Sequence, residues 1–144
     1  QVLDPFCGVG TLLIERDKIM KASHIYGVDL YGTAIDYARE NGKIAGLDIN
    51  FIKRDFFDFK HEYLFDEIIT EMPRLEKGEA DEFYGRFFNK CGELIKTDGV
   101  MIIYSGEKGI LKKYLRLHKE YTLVSEILMD SKEDGNVYII KKTV

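Results

Sequence analysis

The sequence predicts a doubly wound α/β sheet, mostly parallel and ending in an antiparallel hairpin. Two patterns carry that prediction. Five short apolar runs alternate with segments of helical period, and after residue 118 the alternation gives way to two strand-like runs joined by a polar turn. Both prolines, Pro5 and Pro73, fall just after strand runs, at the carboxyl ends where such sheets bind ligands.

The elements follow in order. Val2-Leu3-Asp4 is a short apolar run closed by Pro5 and a glycine-containing turn, and Thr11 to Met20 then carries Leu12, Leu13, Ile14 and Met20 at helical spacing. His24 to Asp29 is the second strand. A helix from about Thr33 to Ala45 follows, with Ile35, Ala38 and Ala45 on one face and Gly46 as its stop. Ile49 to Lys53, Phe65 to Thr70 and Gly99 to Tyr104 are the third, fourth and fifth strands. Between the last two, Ala80 to Lys96 repeats Phe83, Phe87, Cys91 and Leu94 or Ile95 at intervals of three and four, so it is read as a helix with one buried face. Lys108 to His118 is a further amphipathic helix. Tyr121 to Met129 and Val137 to Lys142 are strands joined by the polar turn Asp130 to Asn136, short enough for antiparallel pairing.

The 144 residues, 45% of them hydrophobic, suit one globular domain spanning 1–144. No apolar run approaches the 18 or so residues of a membrane span, and no basic segment precedes an apolar stretch as in a secretory leader. Two cysteines, Cys7 and Cys91, and three scattered histidines give neither a disulfide framework nor a metal site. A cytoplasmic location is the expectation. A net charge of −4 argues against a free-standing nucleic-acid binder, because neutralising phosphates normally requires a basic excess. The chain starts at Gln1, inside a strand run, so an excised or truncated domain is expected.

The turn Asp4-Pro5-Phe6-Cys7-Gly8-Val9-Gly10-Thr11 is the most informative stretch, since glycines between strand and helix let a ligand approach the backbone. Leu13 stands where a dinucleotide fingerprint needs a third glycine, and Gly10-Thr11-Leu12 lacks the Gly-Lys-Ser/Thr ending of a phosphate loop. A carboxylate at the strand tip, Asp4, repels a pyrophosphate and suits an ammonium group. Asp29, ending the second strand, is placed to accept ribose hydroxyls beside Leu30. Asp55, after the third strand, is placed to accept from an exocyclic amine while Phe56 packs on a purine, or else to cap a turn. An ammonium, a ribose and an adenine amine in that order describe S-adenosylmethionine.

The string V-L-D-P-F-C-G-V-G-T-L-L-I-E at 2–15 resembles the first motif of class I S-adenosylmethionine-dependent methyltransferases. Within them it is similar to the THUMP-associated RNA methylases that modify guanosine N2 in tRNA or rRNA. The likeness continues through Gly27-Val28-Asp29-Leu30 and Asp55. It implies the Rossmann-like strand order 3-2-1-4-5-7-6, with cofactor contacts from Asp4, Phe6, Cys7, Gly8, Gly10, Asp29, Leu30, Asp55 and Phe56. It also implies a structured RNA partner, a domain lacking an N-terminal segment or RNA-binding domain, self-association through the surface that segment would cover, and a catalytic loop at Glu71-Met72-Pro73-Arg74.

That loop departs from the family pattern, which has Asn or Asp where this chain has Glu71, and an aromatic where it has Arg74. An aromatic amine is a poor nucleophile, because its lone pair is delocalised into the ring. Acceptors must therefore draw its N–H bonds out of plane, and the Glu71 carboxylate and the Met72 carbonyl are the candidates. Arg74 can stack a guanidinium on a base or pair with Glu71. Two alternatives stay open: a scaffold module impaired in catalysis, and a methyltransferase for a small molecule or protein amide.

Three weaker signals remain. Lys108, Lys112, Arg116 and Lys119 share one helical face, suited to phosphates or to solvent. Cys7 is expected to pack rather than react. Phe83, Tyr84, Phe87 and Phe88 are expected in the core.

Overall fold

In the computed structural model, which describes residues 1–129 and 134–144, seven strands form one sheet of order β3-β2-β1-β4-β5-β7-β6. The strands are β1 (Val2–Asp4), β2 (Ile25–Asp29), β3 (Asn50–Lys53), β4 (Phe65–Glu71), β5 (Ile95–Ser105), β6 (Tyr121–Leu128) and β7 (Asn136–Lys142). The helices are α1 (Thr11–Ile19), α2 (Gly32–Ala45), α3 (Ala80–Leu94) and α4 (Lys108–Leu117). Pairing from β3 through β5 is parallel; β7 runs antiparallel to both β5 and β6. This is the mostly parallel sheet with a terminal hairpin that the sequence predicts. Of the expected connecting turn, 130–133 lie outside the described residues.

Successive residues of a strand point to opposite faces, and the apolar ones sort accordingly. Leu3, Ile68, Met101 and Ile103 join Tyr84, Phe87 and Leu111 of α3 and α4 in one core. Val2, Ile25 and Ile69 join Leu13, Ile35 and Ala38 of α1 and α2 in the other. The central strands are thus buried on both sides, which a parallel sheet requires. On the α1 side of β4 and β5 a groove of about 320 Å³, lined by Leu12, Ile19, Met20, Ile69 and Ile102, remains open.

Most element ends agree with the sequence reading to a residue or two, and α2 stops where expected, with Gly46 left-handed at φ 72°. One boundary is corrected. Helix α3 ends at Leu94 rather than Lys96, and β5 begins at Ile95 rather than Gly99. Ile95 pairs with Phe65, the register then shifts, and Val100 pairs with Glu67. The interrupting residues include Asp98 at φ 69°, so the break that reads as a loop is an irregularity inside a long strand.

Candidate functional site

Strands β1, β2 and β4 lie side by side, so Asp4, Asp29 and Glu71 reach the same carboxyl edge of the sheet. They line one cavity of about 490 Å³ together with the β1–α1 turn, within the range of small-molecule sites. Its wall also includes Phe6, Cys7, Gly8, Met72, Pro73 and Arg74. The structure therefore brings together five of the nine expected cofactor residues and all four of the expected catalytic loop.

Asp4 is only 2% exposed. Its Oδ1 accepts from the Thr70 hydroxyl at 2.5 Å and from the Phe6 amide at 3.0 Å, while Oδ2 has no hydrogen bond among the described residues. Burial pushes its carboxyl up to about 7 against the pull of those two donors, and the charges of Asp29 and Glu71 push it further the same way. A buried carboxylate surrounded by acids favours a cation arriving at its open side and disfavours a phosphate.

Asp29 fixes the turn. Its Oδ2 accepts from the Gly8 amide and its Oδ1 from the Tyr31 amide, both at 2.9 Å. Gly10, where α1 begins, stands at φ 89°, and a side chain there would meet the Phe51 ring at 2.8 Å. The turn therefore needs glycine both for its backbone and for the close passage over β3.

The remaining expected residues lie elsewhere. Asp55 is solvent-exposed and caps its own single helical turn, accepting from the Phe57 amide at 2.9 Å. Phe56 is 2% exposed and packs edge-on against Phe6 and at a tilt against Phe87 in the core, so its ring faces the protein interior rather than the cavity. Leu30 is exposed beyond the cavity rim, and Gly10 sits beneath the turn. The third carboxylate of the cavity is Glu71, where the sequence pointed to Asp55. Cys7 is buried, donates to the Gly8 carbonyl, and has its thiol pushed well up by burial and by Asp4 and Asp29, which makes it a packing group.

Glu71 to Arg74 also form one wall of a second cleft of about 270 Å³, completed by Leu75, Tyr84, Tyr104, Gly106, Glu107 and Asp134. The Met72 amide donates to the Tyr104 carbonyl at 2.9 Å, which ties the loop to β5. Tyr84 and Ser105 share a hydrogen bond of 2.6 Å, and the Glu107 amide donates to the same Ser105 hydroxyl at 3.0 Å. Arg74 does not pair with Glu71. It faces Asp134 at 3.4 Å, with both side chains largely in solvent, which leaves the Glu71 carboxylate without a partner among the described residues.

Sequence reasoning missed Thr70, Tyr84 and Glu107. Thr70 carried a signal, a hydroxyl in the otherwise apolar run Ile68-Ile69. Glu107 carried none, since a single acid after a strand is commonplace. The basic face of α4 is partly neutralised, because Lys112 pairs with Glu126 and Lys113 with Asp81, each at 2.7 Å. Among the described residues no acidic or histidine cluster could hold a metal ion, and no helix is long and apolar enough to cross a membrane.

An α/β sheet with an acidic, glycine-lined pocket at its carboxyl edge defines a domain suited to a small cationic ligand. The model of the methyltransferase domain family matches residues 1–141, and the chain belongs to that family, whose methyl donor is S-adenosylmethionine. It is similar to a tRNA (guanine(10)-N2)-dimethyltransferase of Methanothermobacter thermautotrophicus, 32% identical over 146 residues, covering 89% of this chain and 43% of that protein. It is also similar to the ribosomal RNA large subunit methyltransferase I of Aeromonas salmonicida, 28% identical over 129 residues, covering 81% of this chain and 31% of that protein. Its fold superposes on TrmN from Thermus thermophilus with a TM-score of 0.86 at 24% identity, over 98% of this chain and 43% of that one. The chain thus spans less than half the length of each of these three.

Proposed function

We propose that this domain transfers a methyl group from S-adenosylmethionine to an exocyclic base amine of RNA, guanosine N2 of tRNA or rRNA. The observation that carries the reading is the shared wall. One four-residue loop, Glu71 to Arg74, lines both the acidic pocket and the second cleft, so a donor in the first and an acceptor in the second meet the same loop.

When bound, S-adenosylmethionine supplies an electrophilic methyl on a sulfonium leaving group that needs no protonation. The chain's own work is then binding and alignment. Asp4 holds an ammonium through Oδ2, and Asp29 keeps lone pairs for hydroxyls beyond its two backbone contacts. Glu71 and the Met72 carbonyl accept the N–H groups of the amine, localising its lone pair, and Glu71 takes the proton that the amine sheds. Glu107, whose carboxylate also has no partner among the described residues, lies across the cleft. A carboxylate there accepts from adjacent N–H donors, which guanine offers on one edge at N1 and N2, whereas adenine and cytosine place an acceptor beside the amine. Arg74 provides a planar cation for stacking at the rim.

RNA is supported by the names of the similar proteins above, at low identity over part of their length. The acid-rich cleft takes a base rather than a phosphate, so contacts to the RNA backbone are assigned to other parts of the protein. Methyl transfer from labelled cofactor into bulk tRNA and rRNA tests the reading, using the whole protein and a Glu71→Gln variant. Transfer to guanosine N2 that falls at least 100-fold in the variant supports it. Labelling of protein amides alone, or of no substrate while cofactor binds, would favour the amide or scaffold alternative.

A further inference from the structure

We propose that Thr70 is a positioning residue for the methyl donor, its hydroxyl favouring the carboxylate form of Asp4 with Oδ2 turned to the cavity. The inference rests on the donor-site reading given above.

Both hydrogen bonds to Asp4 arrive on one oxygen. The Thr70 hydroxyl and the Phe6 amide both donate to Oδ1, at 2.5 and 3.0 Å, and the carboxylate of a cavity-lining residue keeps its other oxygen for a ligand. Phe6 is the second residue on from Asp4, so its amide comes with the turn itself. Thr70 comes from β4, 66 positions away in sequence, and is buried with its hydroxyl directed at Asp4. It contributes nothing to the cavity wall, so its contribution passes through Asp4.

Of the other charged groups on this cavity wall, Arg74 turns to Asp134 in solvent, and the rest oppose ionisation of Asp4 or leave it unaided. Asp29 from β2 and Glu71 from β4 bring like charge, and burial removes water. Cys7, in the same turn, holds a neutral thiol. Of the side chains packed against Asp4, Thr70 is therefore the one that favours the anion, and a hydroxyl donating to a carboxylate favours the charged form. A cation needs that form. Removing the hydroxyl leaves the cavity wall unchanged while making Asp4 harder to ionise.

The test uses S-adenosylhomocysteine, which carries the ammonium without a reactive methyl. Its affinity is measured by calorimetry between pH 5.5 and 8.5 for the wild-type protein, Thr70→Ser and Thr70→Val, with Thr70→Ala as a second deletion. In parallel, the Asp4 carboxyl resonance is titrated in the ligand-free protein.

The expected result is an affinity that rises with pH, with the Val and Ala midpoints about one unit higher. That corresponds to roughly 10-fold weaker binding below about pH 6, and the curves converge at the alkaline end. The Ser variant keeps the wild-type midpoint, and the Asp4 resonance moves in step. Equal weakening of Val and Ala at every pH, with the Asp4 resonance unmoved, overturns the proposal and leaves Thr70 as filler. Absence of binding by the wild type overturns the donor-site reading, and a shifted Asp4 resonance in the ligand-free protein then still reports the Thr70 contact alone.

Discussion

The Asp29 carboxylate accepts from the Gly8 amide at 2.9 Å, joining the end of β2 to the middle of the β1–α1 turn across 21 positions of sequence. This contact makes the turn a rigid wall rather than a loop, because the Tyr31 amide holds the other oxygen of the same side chain. Asp29 is thus both a structural clamp and a wall residue of the cavity.

Replacing Asp29 tests the clamp. Asp29→Ala leaves two amides without acceptors and is expected to destabilise the fold by roughly 1–3 kcal/mol, while Asp29→Asn keeps one oxygen and loses less. Cofactor affinity falls by at least 10-fold in both. Urea denaturation and calorimetry check this, and an Ala variant of unchanged stability and affinity would show that the turn holds itself.

Asp4 makes the stability of the ligand-free protein depend on pH. Its carboxyl sits at about 7 in the folded state against an ordinary value of 3.8, so between those values the folded protein holds a proton that the unfolded chain has lost. The contribution is complete below about pH 4 and declines as pH rises through 7, by roughly 4 kcal/mol in total. Asp66, Asp81 and Glu126, whose carboxyls lie below their ordinary values through partners such as Lys96, Lys113 and Lys112, act with the opposite sign. The comparison of wild type with Asp4→Asn isolates Asp4. The variant's stability relative to wild type should rise between pH 4 and 7, and parallel curves would contradict the burial argument.

Two glycines separate backbone strain from crowding. Gly10 and Gly46 both have positive φ, at 89° and 72°, but a side chain at Gly10 meets Phe51 at 2.8 Å while one at Gly46 meets open space. Gly46→Ala is expected to cost about 1 kcal/mol, from conformation alone. Gly10→Ala adds the clash, for roughly 2–4 kcal/mol, and tilts the turn enough to weaken cofactor binding. Equal costs in urea denaturation would mean that Phe51 yields freely.

The fold was legible because each element carries its own period, and the reading failed where a residue's environment overrode it. Ile95 to Asp98 looked like the end of a helix and a loop. Only pairing of Ile95 with Phe65, a contact distant in sequence, makes that segment strand. The acidic cavity was legible at the β1–α1 turn and at Asp29, since both are local strand-end patterns. Phe56 lies away from the cavity because a three-residue helical turn rotates its ring inward, which spacing from Asp55 does not reveal. The second cleft was the least legible part. It is assembled from β4, α3 and the ends of β5 and β7, and the partner of Arg74 proved to be Asp134 rather than its near neighbour Glu71.

The central claim is electrostatic: Asp4, Asp29 and Glu71 together select a nucleoside that carries positive charge. Calorimetry at pH 8 with S-adenosylmethionine, 5′-methylthioadenosine and ADP, on the wild type and Asp4→Asn, tests it most directly. S-adenosylmethionine should bind at least 10-fold tighter than the analogue lacking the ammonium, ADP should bind weakest, and Asp4→Asn should erase the first difference. Equal affinity for S-adenosylmethionine and methylthioadenosine, or preferential binding of ADP, would contradict the account.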